Sequence, residues 1–358
     1  MSEIKNPSQP ERSIRYWLIL LGLMVYAMIL IGGATRLTDS GLSITEWDPI
    51  SGALPPISTE AWYAEFAKYR ETAEYRLVNS GMSLSEFQKI YWWEWGHRFF
   101  GRMIGLVAVA GFAVFALRGW LTRHLSWRLL GLITLGGLQG AIGWWMVASG
   151  IGETSRVDVA PYRLMTHFML ALLIIAYIAW LWLDLGAKPR PEASATARGV
   201  SLMFLGAIFL QMAAGALVAG LDAGRTYTDW PLMAGEVFPS HYVEDGLGLR
   251  SLFEGRAATQ FNHRLLAYMI WAGSLIACWA FRKTVLRNTF LLMAGLVSLQ
   301  ALWGIVTLIS AAPMNLALIH QGLGVIVTLA AVRLVWLTRR TNYLEVARVS
   351  SEGSTNTT

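Results

Sequence analysis

Long apolar runs, each about long enough to cross a hydrocarbon core, alternate along the chain with polar connections. Eight runs have the length and composition of membrane helices: roughly Tyr16 to Ala34, Phe99 to Ala116, Leu129 to Ala148, Leu164 to Leu183, Val200 to Gly220, Leu265 to Phe281, Phe290 to Ser310 and Leu316 to Leu337. This pattern predicts an all-α integral membrane protein. The first run is followed by GGATRLTDSG and not by a small-residue cleavage site, so it reads as a retained helix and not a signal peptide. One connection is long. Between about Arg36 and Gly96 lies SLSEF, with Ser83 three residues before Glu86, the spacing of a helix capping box ahead of an aromatic helical run.

Composition agrees with the pattern: 55% hydrophobic, 15% charged and a mean hydropathy of +0.45 are too apolar for a soluble domain of 358 residues. Charge then sets orientation. Basic residues such as Arg12, Arg15, Arg118, Arg123, Arg198, Arg282, Lys283 and Arg339 gather in the two tails and after the even-numbered runs, where acids are few. The positive-inside rule therefore places both termini in the cytoplasm of a multi-pass inner-membrane protein in the lipid bilayer. The net charge of +6 reflects that topology and not nucleic-acid binding, since no basic patch is interleaved with aromatics. A single cysteine, Cys278, excludes an intrachain disulfide, a CxxCH haem attachment, an iron–sulfur cluster and a cysteine zinc site.

The chain also repeats itself. DSGLSITEWDPISGALPP, from Asp39, aligns without a gap on DAGRTYTDWPLMAGEVFP, from Asp222, pairing Gly41 with Gly224, Thr45 with Thr228, Trp47 with Trp230 and Gly52 with Gly235. Downstream, Trp95 to Arg98 pairs with Phe261 to Arg264, Gln139 and Gly143 with Gln300 and Gly304, and His167 with His320. A four-helix offset keeps the direction of crossing, so the fold class is two pseudo-symmetric four-helix bundles totalling eight transmembrane helices. The expected division is a cytoplasmic tail 1–15, a bundle 16–184 with outer loop 36–96, a cytoplasmic linker 185–199 rich in Pro, Ala and charge, a second bundle 200–337 and a cytoplasmic tail 338–358.

The repeat singles out His97, His167, His263 and His320, at or near the outer ends of the second, fourth, sixth and eighth runs, while His124 and His241 fall in loops with no repeat partner. Two imidazoles at similar depth on parallel helices of one bundle can hold a planar macrocycle by both faces of its iron, so each half predicts a haem or similar group toward the periplasmic side. A binuclear metal site would instead need Glu-x-x-His motifs on several helices; Glu94 to His97 is one, but the second half has Gln260 before His263. Arg98 and Arg264 follow two of the histidines, and Arg36 and Arg225 lie near other outer helix ends, where they either pair with haem propionates or anchor the interface. The segments around Trp47 and Pro49, and around Trp230 and Pro231, read either as lids over the sites or as structural turns.

GGATRLTDSGLSITEWDPISGALPP, EWGHR, TSRVDVAPYRLMTHF, DAGRTYTDWPLMAGEVFP, QFNHR and ALIHQ, in that order from about Tyr16 to Leu337, resemble the heme A synthase family in its proteobacterial and mitochondrial version. The resemblance implies an eight-helix enzyme that oxidises the methyl at ring position eight of heme O to the formyl group of heme A for terminal oxidases. It implies a haem b cofactor in the second half, ligated by His263 and His320, and substrate heme O in the first, held by His97 and His167. Glu94 matches the family's functionally important acid. Heme O synthase, oxidase assembly components and an electron donor are the implied partners. Some members carry a cysteine pair in the first outer loop, which this chain lacks.

The residues themselves point the same way. Oxidising a methyl group removes protons and passes through electron-poor carbon, which a nearby carboxylate can assist. Glu94 opposite Gln260 marks the first half as the reactive one. A bis-histidine cytochrome that only transfers electrons, or a haem carrier, explains the histidines equally well but not that difference.

Overall fold

Every regular element among the described residues of the computed structural model, 8–152, 154–186 and 191–339, is helical. Residues 1–7 and 340–358 of the predicted tails, and 187–190 of the predicted linker, lie outside the described residues. In chain order the α-helices are α1 (Gln9–Leu37), α2 (Thr59–Arg70), α3 (Ala73–Leu77), α4 (Leu84–Leu117), α5 (Arg123–Val147), α6 (Pro161–Leu185), α7 (Ala195–Gly220), α8 (Ser251–Glu254), α9 (Arg256–Ala280), α10 (Arg287–Ile309) and α11 (Met314–Thr338).

Seven of these, α1, α4, α5, α6, α7, α10 and α11, are long and apolar enough to cross a membrane. The remaining predicted run, Leu265 to Phe281, forms within α9, which is not among the seven. The reason is its first turns: Arg256, Gln260, Asn262, His263 and Arg264 occupy the outer third, leaving an apolar stretch of only ~24 Å at 1.5 Å per residue. Large apolar side chains such as Leu23, Leu106, Leu210 and Leu302 stand exposed on the long helices, as lipid-facing positions do.

Local chemistry explains where the helices start and stop. Ser8 and Glu11 close a capping box on α1, and Ser83 and Glu86 close the one that the SLSEF spacing predicts on α4. At the far ends of α1 and α7, Asp39 (φ 49°) and Asp222 (φ 51°) take the left-handed conformation that an aspartate tolerates, so the two aligned segments leave their helices by the same turn.

The aromatic run after Ser83 does not end before the membrane helix; it is continuous with it, and α4 carries Glu94 and His97 on one 34-residue rod. At 1.5 Å per residue that rod is ~51 Å long, well beyond a ~30 Å hydrocarbon core. Its protruding end is held by a small aromatic core. Phe87 stacks on Phe66 (5.0 Å) and Tyr69 (5.2 Å) of α2, and all three are buried.

Among the long helices, α1 packs on α4 and α6, and α5 on the same two; α7 packs on α9 and α11, and α10 on the same two. Contacts of α6 with α7 and α11, and of α1 with α11, join these groups. Small residues permit the last approach: a Cβ added at Gly33 would collide with Gln321, whose Nε2 donates to the Ile29 carbonyl (3.0 Å). At the opposite end of the molecule Asp184 accepts from Arg128 (2.7 Å), Arg339 (2.6 Å) and Trp336 Nε1 (2.8 Å), tying α5, α6 and α11 together.

Candidate functional site

Each of the four histidines faces a glycine on the preceding long helix. A Cβ built on Gly32, Gly143, Gly215 or Gly304 would lie 3.1, 2.9, 3.0 or 2.8 Å from Cε1 of His97, His167, His263 or His320 respectively. The ring edges therefore occupy space that only glycine leaves. His263 on α9 and His320 on α11 come together, with ring centroids 6.5 Å apart and planes at 79°. Two imidazole nitrogens bonded at about 2 Å to one iron set their ring centroids ~6 Å apart, so this pair matches the spacing of two axial haem ligands. His97 lies on α4 and His167 on α6.

Three of the rings have an amide beside them. Gln139, Gln211 and Gln300 donate Nε2 to the backbone carbonyls of His167 (3.0 Å), His263 (3.1 Å) and His320 (3.0 Å), and Nε2 also lies 3.3, 3.1 and 3.3 Å from the respective Nδ1. Each glutamine's Oε1 is buried without a hydrogen-bond partner among the described residues. Each amide is anchored on its histidine's own carbonyl and lies against the ring, Gln139 and Gln211 within 3.3 Å of both ring nitrogens, so it packs the imidazole in place without accepting a proton from it. Sequence reasoning pairs Gln139 with Gln300 but misses Gln211. The available signal is Q-x-x-x-G, present as QGAIG, QMAAG and QALWG ahead of three histidines.

Among the described residues, no three His, Cys, Asp or Glu side chains gather as a metal cluster would require. The donor set fits two imidazoles on a planar group and not a binuclear cage.

Above the histidines the two halves grip their outer loops at equivalent positions. Glu94 is buried; its Oε2 accepts from Ser43 Oγ (2.8 Å) and the Ile44 backbone N–H (2.9 Å), and its Oε1 from Arg98 Nη2 (2.6 Å). Arg98 also donates to the carbonyls of Ile44 (2.9 Å) and Glu46 (2.9 Å). In the second half Gln260 Nε2 donates to the Tyr227 carbonyl (3.0 Å), and Arg264 donates to the carbonyls of Tyr227 (3.1 Å), Asp229 (3.0 Å) and Leu232 (3.0 Å). Ile44 and Tyr227 are aligned positions of the repeat. An acid that accepts in one half is thus replaced by an amide that donates in the other.

The remaining arginines differ in their surroundings. Arg36 is paired with Asp39 (2.7 Å) and Asp222 (2.7 Å), with Asp158 at 3.8 Å, bridging the aligned turns of the two halves. Arg225 is exposed on a single turn of 3-10 helix, Ala223–Arg225. Arg102, which sequence reasoning overlooks although it lies one turn beyond Arg98, donates to the carbonyls of Pro49 (2.8 Å) and Asp48 (2.7 Å) and keeps a buried Nη1 without a partner among the described residues. Arg98 and Arg102 line one side of a cavity of about 300 Å³, with Glu65 and Tyr91 among its other walls. Trp47 packs on Trp144 (5.3 Å), and Trp230 Nε1 donates to the Tyr268 hydroxyl (2.9 Å), so both tryptophans of the aligned loops lie on their own half.

Comparison with known proteins identifies the chain's relatives. The family model described as "Cytochrome oxidase assembly protein" (COX15-CtaA) matches residues 15–332. Heme A synthase of Hyphomonas neptunium is 72% identical over 323 residues, covering 90% of this chain and 92% of its own length. That of Caulobacter sp. strain K31 is 46% identical over 339 residues, with 93% and 98% covered, and that of Dinoroseobacter shibae 47% over 329 residues, with 89% and 85% covered. The family match over residues 15–332 and a relative 72% identical across 90% of the chain place it in the COX15-CtaA family of cytochrome oxidase assembly proteins, among the heme A synthases.

Proposed function

We propose that the chain converts heme O to heme A by oxidising the ring-position-eight methyl to a formyl group, with the two jobs divided between two pseudo-symmetric four-helix bundles. In this reading α9 is also a membrane helix and brings the total to eight, residues 16–184 form the substrate bundle, 200–337 the cofactor bundle and 185–199 the linker. Both termini are cytoplasmic and the histidines lie toward the periplasmic side of the inner membrane. His263 and His320 hold a haem b, which supplies one-electron chemistry when bound. His97 and His167 hold heme O. Its acquisition from heme O synthase, delivery of heme A toward oxidase assembly and an electron donor complete the cycle.

The observation that carries the assignment of roles is Glu94 against Gln260. A site that only passes electrons needs imidazoles and a hydrogen-bonded shell, which both halves have. A site that oxidises carbon must also take up protons and balance developing positive charge. Glu94 is the group in the first half suited to both. Ser43 and Ile44 fix its Oε2, while Oε1 accepts from Arg98 and has lone-pair capacity left for a proton. Arg98 and Arg102 hold the outer loop against this half through its carbonyls.

The test is to express the chain with a source of heme O, extract the haems and separate them by mass. Heme A is expected from the unaltered chain, and heme O with retained haem b from Glu94→Gln. An unaltered chain that binds both haems yet forms no heme A would make it an electron carrier instead.

A further inference from the structure

Each half closes a ring of four long helices, and three of the four seams in one ring match those in the other. The pair α1–α4 packs as α7–α9 does, α1–α6 as α7–α11, and α5–α6 much as α10–α11. The fourth seam differs: α4 and α5 lie together far less closely than α9 and α10. Contacts that join the halves run through α1, α6, α7 and α11, so the α4–α5 seam lies on the side turned away from the second half.

Side chains account for the difference. Across the second half's seam Trp271 Nε1 on α9 donates to Ser298 Oγ on α10 (3.1 Å), with Val297 buried beside it. Trp271 stands eight residues after His263, and Ser298 two before Gln300. Counted in the same way from His97 and Gln139, the aligned positions of the first half are Gly105 and Gly137. Met103 and Ile104 opposite Met269 and Ile270 keep that register, and Val297 and Ala301 are likewise answered by Gly136 and Gly140. A Cβ at any of these four glycines would meet no atom of another helix within 4 Å among the described residues. Helices in lipid are held together by close packing and interhelical hydrogen bonds, and this seam gives up both.

The opening is continuous with the histidine site. Gly105 lies two turns, ~12 Å, along α4 from His97, and Gly137 ~9 Å along α5 from Gly143, the glycine that faces His167. Both steps lead away from the outer loop. Haem b and heme O share ring, iron and propionates; heme O carries a hydroxyethylfarnesyl chain where haem b has a vinyl group. Paired imidazoles, present in both halves, cannot tell the two apart. A half that takes heme O needs an apolar path for the chain, whereas a half that keeps haem b is better packed without one.

We propose that the α4–α5 seam holds the farnesyl chain of heme O, entered sideways from the bilayer, and that glycines 105 and 137 in place of Trp271 and Ser298 determine which half accepts the substrate. The proposal rests on the reading that His97 and His167 hold the substrate.

The test compares heme O with haem b, which lacks the chain. Each is titrated, without an electron donor, into the whole chain in lipid nanodiscs with the second half already loaded. The unaltered first half is expected to bind heme O about 10-fold or more tightly than haem b, a ratio that burial of two methylene groups already supplies. Gly105→Trp with Gly137→Ser, which transplants the second half's closure, should abolish that preference and leave haem b affinity unchanged. Gly137→Leu fills the seam with one side chain and keeps the test open if the double variant fails to fold. Conversely, Trp271→Gly with Ser298→Gly should let the second half retain heme O, read by haem extraction in a His97→Ala background. A preference unaltered by filling the seam overturns the proposal and leaves the gap to a lipid chain. Equal loss of both haems also overturns it, making the glycines packing residues of the bundle. His97→Ala separates these outcomes from failure of the underlying reading: if heme O binding survives it unchanged, His97 is not a ligand, and that reading falls together with the proposal.

Discussion

Around Glu94 the first half meets its outer loop with a charge, and around Gln260 the second half meets the equivalent loop with an amide. Two features are shared: Arg98 and Arg264 donate to the aligned carbonyls of Ile44 and Tyr227, and Asp39 and Asp222 turn through the same left-handed conformation. Burying a carboxylate requires compensation, and here it takes a guanidinium, a hydroxyl and a backbone N–H. A loop can be held without that arrangement, as the second half demonstrates with neutral donors and acceptors. Holding the loop therefore does not by itself require the charge in the first half.

The largest effect is expected from removing a histidine proposed to hold the cofactor. His263→Ala is expected to abolish copurifying haem b, measured as pyridine haemochrome, whereas His97→Ala should leave it in place. Haem b retained in the first variant would reverse the roles of the halves. Next in size, Glu94→Gln gives the first half the second half's side chain and should reduce heme A formation about 100-fold or more, with haem b content unchanged. Unaltered turnover would remove Glu94 from the chemistry.

Smaller effects sharpen the comparison. Gly304→Ala places a methyl group 2.8 Å from His320 Cε1, against 3.1 Å at His97 for Gly32→Ala. The first should cost roughly 10-fold in haem retention by displacing the ring, and the second less, because the contact it creates is longer. Equal losses would show that the two seats accommodate a methyl group alike.

Glu74, on the outer-loop helix α3, has no counterpart in the second half. Burial pushes its carboxyl up to about 8, with Glu94, Asp158 and Asp39 adding to the shift and Tyr69 opposing it. The folded state then holds a proton that the unfolded chain releases near the ordinary carboxylate value, so stability falls as pH rises from about 4.5 to 8 and is lowest above that range. Glu74→Gln should flatten this fall in detergent melting curves between pH 5 and 9; an unchanged slope would place the proton elsewhere. The smallest effect belongs to Arg36→Ala, which releases Asp39 and Asp222. Those carboxylates are about half exposed, so about 1 kcal/mol of stability is expected to be lost, with weaker salt dependence of the melting temperature.

Periodicity, repeat and charge already determine much of this protein. Apolar runs must be helical where no water can satisfy the backbone, and so α1, α4, α5, α6, α7, α10 and α11 are readable from composition. The capping box at Ser83 is local chemistry and forms where its spacing places it. The repeat selects four histidines because chance does not place imidazoles at equivalent points of two copies.

Only the tertiary structure decides what surrounds them. That glycines face the rings and that Gln211 belongs with Gln139 and Gln300 depend on which helix face meets which neighbour. That Glu94 is shared between Arg98 on its own helix and a loop some fifty residues away depends on the path of that loop. Secondary structure is set by each segment's own solvent and spacing, whereas these contacts join segments whose separation along the chain carries no signal of their meeting.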